Sequence, residues 1–142
     1  MYPKVLVISV KPEFAYRILS GEKTIELRKN TPSVTEGDLV IIYATQPVKA
    51  IVGYCKVSGI VKDNPSNIWD KYSEVTGISK QGFMSYYSNT LTAIGIKLKD
   101  VNPLSKNFTL KQVKAVIPKF KPPQSFAYLT LAEAISTYKH LS

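Results

Sequence analysis

Gly21-Glu22-Lys23-Thr24-Ile25-Glu26-Leu27-Arg28 changes hydrophobic period within eight residues, and that change decides the fold. Upstream of it, Phe14, Ala15, Ile18 and Leu19 recur at helical spacing. Pro12 suits the first turn of that helix, where its missing N–H costs nothing. Gly21 is placed to end it, because glycine enters the left-handed region without a Cβ penalty. Downstream, Thr24, Glu26 and Arg28 alternate with Ile25 and Leu27, the period of a strand with one polar and one apolar face. The reading is a helix over 12–20, a turn carrying Lys23, and a strand over 24–28.

The flanks extend the pattern. Val5 to Val10 is short, β-branched and almost continuously apolar, as in a buried strand. Residues 30–38 carry loop residues, and Glu36-Gly37-Asp38 reads as the closing turn. Strands are predicted over 39–44 and 50–61, the second with Gly53 and Gly59 as bulge or bend points. Asn64 caps a helix starting at Pro65, and a second short helix covers 80–87. Strand returns over 92–98, followed by a short helix over 109–115, a short strand over 127–129 and a closing helix over 131–141. Several strands apolar on both faces, joined by short helices, argue for an α+β chain built on a closed or nearly closed β-barrel. Long helices do not alternate with the strands, which weighs against a doubly wound parallel sheet.

The chain of 142 residues fits one domain, 1–142, with no repeat or low-complexity stretch. An apolar share of 44% and a charged share of 20% exclude a disordered chain. Nineteen Lys and Arg against ten Asp and Glu give a formal charge of +9 and a pI near 9.6, the footprint of a protein that meets polyanions. Cys55 is the single cysteine, so no internal disulfide forms, as in a reducing compartment. No run is long enough to span a bilayer and the first residues do not form a signal peptide, so the expected location is cytoplasmic with no membrane partner.

Chemistry concentrates in 21–28. Lys23 and Arg28 suit a phosphate, the first as a point charge and the second as a planar bidentate donor. Glu26 is placed to orient them or a base. The alternative is a solvated sheet face with an incidental ion pair worth at most about 1 kcal/mol.

The pattern Lys11-Pro12, Ile18-Leu19-Ser20-Gly21-Glu22-Lys23-Thr24-Ile25-Glu26-Leu27-Arg28, Gly37-Asp38 and Tyr43-Ala44 resembles the ASCH family. Val52-Gly53, Tyr86-Tyr87 and Pro122-Pro123-Gln124-Ser125-Phe126 add to the resemblance, which spans about residues 4 to 130. It implies a PUA-like β-barrel with flanking short helices and an RNA-binding cleft beside the Gly-x-Lys-x-x-Glu-x-Arg motif. Some relatives hydrolyse N4-acetylcytidine, and at least one is a single-strand ribonuclease. In the amidohydrolases a catalytic lysine is followed three residues later by a catalytic threonine. Lys23 matches the lysine, but Glu26 stands at the threonine position and Thr24 is one step from the lysine. Deacetylation by that route therefore lacks its nucleophile.

The expected function is RNA binding, with a regulatory role in transcription or translation. The alternative is a hydrolase acting on RNA, in which Lys23 and Glu26 are the catalytic candidates and Tyr43 or Ser125 supplies a hydroxyl. A small nucleotide-like ligand is a third possibility. The ligand-contacting set is Lys11, Lys23, Glu26, Arg28, Tyr43, Gln124, Ser125, Lys119 and Lys121. A tract from Lys97 to Lys121 with seven lysines against Asp100 reads as a phosphate track toward the cleft. The aromatics Trp69, Tyr72, Phe83, Tyr86 and Tyr87 read first as core, with one or two free to stack on bases. His140 reads as a surface residue. No metal, cofactor or obligate protein partner is expected.

Overall fold

The computed structural model describes residues 4–141. Its elements are β1 (Val5–Val10), α1 (Pro12–Leu19), β2 (Ile25–Arg28), β3 (Leu39–Ala44), β4 (Ala50–Asp63), α2 (Pro65–Tyr72), α3 (Lys80–Tyr86), β5 (Ala93–Thr109), α4 (Leu110–Val116), β6 (Phe126–Tyr128) and α5 (Leu131–Tyr138). A single 3-10 turn, Ser73–Val75, links α2 to α3. The six strands form one mixed sheet in the order β2-β5-β4-β3-β1-β6. β1 and β3 are parallel, with Ser9 beside Tyr43; the other pairs are antiparallel.

The sheet curls into a half-barrel, the PUA-like α+β arrangement expected from the sequence. Its edges are β2 and β6, so no backbone ladder closes the curl. Curvature enters where the ladder breaks. β4 shifts register against β5 between Ile51 and Gly53 and between Val57 and Gly59, the two glycine bend points read from the sequence. A Cβ on Gly53 would lie 2.5 Å from a Leu19 methyl and 2.8 Å from the Asn102 carbonyl, so only glycine lets α1 and β5 approach there.

Three apolar clusters hold these layers. The hollow of the curl is filled by Leu6, Ile8, Val40, Ile42, Cys55 and Ile96, with α1 packed through Ala15 and Ile18. Strand alternation sends Val7, Ile41, Tyr43 and Ile51 to the outer face, where Val113 of α4, Phe120 and Leu141 cover them. Ile68 and Phe83 close α2 and α3 over Leu27, Tyr87 and Ala93.

Most elements stand within two residues of their sequence-predicted limits. β5 is the largest exception. It runs on to Thr109, and its outer half is polar and largely exposed; pairing with the first half of β4 makes it a strand, not an apolar period of its own. The closing helix stops at Tyr138. No helix of the described residues is long and apolar enough to cross a membrane.

Candidate nucleotide cleft

Gly21 adopts φ +87° just past α1, and the chain turns sharply enough for the Lys23 amide to donate to the Arg17 carbonyl at 2.9 Å. The next amide, Thr24, donates to Val75 at 2.9 Å. β2 then pairs with β5 from Ile25 opposite Lys97 to Arg28 opposite Ile94. Its apolar residue Leu27 goes under α2 and α3. Its polar residues Glu26 and Arg28 stand at the unpaired seam between β2 and β1.

Glu26 is 6% exposed and lies between two cations. Its Oε1 is 3.4 Å from Lys23 Nζ and its Oε2 2.8 Å from Arg28 Nη2. The Leu27 amide also donates to Oε1 at 3.1 Å. Arg28 Nη2 donates in turn to the Ser9 carbonyl at 3.1 Å, across the seam. Arg28 Nε and Ser9 Oγ are buried without a hydrogen-bond partner. Taking three charges out of water is costly, so a group of this kind is weak evidence of stabilisation for its own sake. Its retention beside a cleft makes it a candidate ligand site.

Lys23 is only 3% exposed. Its Nζ donates to the Thr76 carbonyl, and Arg17 Nη1 donates to the neighbouring Gly77 carbonyl. Two cations thus hold the 76–77 segment. Burial lowers the Lys23 ammonium below its ordinary value; Glu26 opposes that, and Arg28 and Arg17 add to it.

Above this floor opens a cleft of about 940 Å³, the upper end of the range for small-molecule and cofactor sites. Lys11, Phe14 and Arg17 form one wall, Ile78, Ser79 and Tyr86 another, and Pro123 and Gln124 the third. Of the residues expected from the sequence, Lys11, Lys23, Glu26, Arg28 and Gln124 meet here. Lys23, and not the exposed Thr24, joins Glu26, because the turn and not the strand period directs its side chain.

The remaining residues expected from the sequence stand outside this lining. Tyr43 does not line this cleft: it is 2% exposed on the outer face of the sheet, its ring 6.3 Å from that of Phe120. Ser125 also lies outside the lining, although its carbonyl accepts the Ser9 amide at 3.0 Å. Lys119 and Lys121 are exposed on either side of Phe120, which anchors them to the outer face. None of the seven lysines from Lys97 to Lys121 is among the residues that line the cleft. His140 is exposed, with its ring 5.3 Å from Phe108.

Sequence reasoning missed Phe14 and Arg17 as lining residues and did not single out Tyr86 from the other aromatics. Phe14 and Arg17 stand three apart on α1, a spacing that puts both on one face. Helical spacing assigns Tyr86 to the core, yet it is 37% exposed at the rim. No cluster of three or more His, Cys, Asp or Glu that could hold a metal ion occurs among the described residues.

The family model described as the ASCH domain matches residues 8–124. A protein of Zymomonas mobilis named "ASCH domain-containing ribonuclease" is 35% identical over 130 residues, which is 92% of this chain and 87% of that protein. The large ribosomal subunit protein uL22 of Ureaplasma parvum is 28% identical over 127 residues, 89% of this chain but 39% of that protein's length. The crystal structure of the ASCH protein from Zymomonas mobilis superposes with a TM-score of 0.93 at 34% identity, covering 98% of this chain and 96% of the other.

Proposed function

The chain belongs to the ASCH domain family, and from that premise we propose that it binds single-stranded RNA, seating an unpaired nucleotide in the seam between β1 and β2. The observation that carries this reading is the cleft floor, where Glu26 lies between Lys23 and Arg28 while Arg28 Nε remains unpaired. Lys11 and Arg17 on the wall bring further positive charge to a space large enough for a nucleotide. A carboxylate beside cations also suits a base edge that offers amino or imino donors. Gln124 in the same lining offers both a donor and an acceptor. A relative named as a ribonuclease agrees with RNA as the ligand. Fluorescence anisotropy with labelled single-stranded and duplex RNA tests it. Preference for the single strand, with affinity falling as salt rises, is the expected result; equal affinity for the duplex, or none for either, contradicts it.

The relative's name favours a second reading, cleavage of the RNA backbone. Here Lys11 would face the phosphate, since Lys23 is already committed to Thr76 and Glu26. Two hydroxyl-bearing residues neighbour Ser9 along the main chain: Tyr43 is its register partner, and the Ser125 carbonyl accepts its amide. Incubating single-stranded RNA with wild type and Ser125→Ala, with and without EDTA, separates the readings. Turnover that disappears in the variant supports cleavage; intact RNA throughout leaves binding as the function. Loss of turnover in EDTA would show a metal requirement. N4-acetylcytidine in the same assay should remain intact, because Glu26 replaces the threonine nucleophile.

A further inference from the structure

We propose that Tyr86 is a stacking platform that fixes the unpaired base at the mouth of the cleft, making it a specificity-determining residue of the RNA site. This inference rests on the RNA-binding reading and adds the part of the nucleotide that the charged floor cannot hold.

The aromatic residues of this corner divide sharply by environment. Phe83 of α3 and Tyr87 at its end are buried, and Trp69 of α2 is partly buried against them. Tyr86 follows the same helix but turns outward and lines the cleft. Its exposed part therefore has access to whatever occupies the cleft.

The ring is also braced. Tyr87 meets it edge-on, with centroids 4.7 Å apart and planes at 69°. Tyr87 is fixed in turn, since its hydroxyl donates to the Arg28 carbonyl at 3.0 Å. Ser79 caps α3 through its side chain, which accepts from the Gly82 amide. A platform held on a capped helix loses little freedom when a base stacks on it.

Charge completes the arrangement. Lys29, the residue after Arg28, places Nζ 4.7 Å from the centre of the Tyr86 ring. The Lys29 ammonium thus covers one face of the ring, which leaves the other for a base, and an aromatic plane and a cation share one spot at the end of β2. A nucleotide offers the matching pair, a base with a π-face and a phosphate. Such stacking tolerates any base, so it selects unpaired over paired RNA. Glu26 and Gln124 deeper in the cleft are left to read edges.

The test uses the full chain and two probes of equal length: a mixed-sequence single-stranded RNA 12-mer and the corresponding abasic ribose-phosphate 12-mer. Tyr86→Ala should weaken binding of the base-bearing strand about tenfold or more and leave the abasic strand unchanged. Tyr86→Trp should retain the base-bearing affinity, which loss of folding could not imitate. Lys29→Ala should weaken both probes alike. Tyr86→Ala binding the base-bearing strand as wild type does, or losing both probes equally, overturns the platform while leaving RNA binding intact. Wild type that binds neither probe overturns the RNA reading itself, and the platform with it.

Discussion

Arg28 donates from Nη2 to the carbonyl oxygen of Ser9 at 3.1 Å and so joins β2 to β1, two strands with no ladder between them. The same nitrogen lies 2.8 Å from Glu26 Oε2. A charged side chain therefore closes the seam that backbone pairing leaves open. This makes the seam both a structural joint and a cleft. Arg28→Ala removes the joint and leaves Glu26 with Lys23 alone, so it should lower stability by about 3 kcal/mol, the cost of breaking a buried ion pair. Urea unfolding checks it; a loss below roughly 0.5 kcal/mol would mean that the seam does not depend on Arg28.

Lys23 has a testable pH signature. Burial, opposed by Glu26, holds its ammonium below the ordinary 10.5. Just below 10.5 the unfolded chain then binds more protons at this position than the native chain, so the contribution of Lys23 to stability rises with pH there. The thiol of Cys55 and the phenols of Tyr43, Tyr86 and Tyr87 are pushed up, chiefly by burial, and act in the opposite direction. Both proteins share those groups. The difference in unfolding free energy between wild type and Lys23→Met should therefore grow in favour of wild type from pH 8 toward 10.5. A flat or shrinking difference would contradict burial as the dominant influence.

The two turn glycines should respond unequally to alanine. Gly21 has φ +87° with open space where a Cβ would go. Gly77 has φ +65°, and a Cβ there would lie 2.9 Å from the Lys23 Cβ. Gly21→Ala should cost about 1 kcal/mol from backbone strain, and Gly77→Ala roughly twice that. Chemical denaturation orders them, and equal costs would deny the close packing of the 76–77 segment on Lys23.

Cys55 should be inert in the native protein. It is fully buried in the hollow of the curl, and burial, reinforced by the Glu26 carboxylate, pushes its thiol up to about 12. A thiol-reactive chromophore at pH 8 should label it only on unfolding. Rapid stoichiometric labelling of folded protein would show that the hollow opens readily.

Much of this is readable in the residues, for identifiable reasons. Gly21 and Gly37 take the positive φ that their turns demand, and Gly53 and Gly59 stand at two of the three register shifts between β4 and β5. These are local requirements, and sequence reports them well. Other features are not local. Leu39–Ala44 is apolar throughout, so no polar alternation tells which face Tyr43 takes. Residues 99–107 become strand through a partner some fifty residues away. The Lys23 side chain meets a carbonyl at Thr76, so its positioning role cannot be seen from its own segment. Tyr86 and Tyr87 are adjacent and chemically alike, yet the helix buries one and exposes the other.

The central claim, that RNA enters the cleft between β1 and β2, is tested most directly by moving one charge. Lys11 is exposed on the cleft wall, and its side chain does not cap α1. Lys114 is exposed on α4, which covers the outer face. Lys11→Glu should weaken single-stranded RNA binding about tenfold and flatten the salt dependence by about 0.7 in log–log slope, the change expected when one phosphate is no longer neutralised. Lys114→Glu should stay within about twofold of wild type at equal salt, because it neutralises no phosphate of a strand held in the cleft. If Lys114→Glu abolishes the affinity and Lys11→Glu keeps it, RNA lies on the outer face and the cleft is not its site.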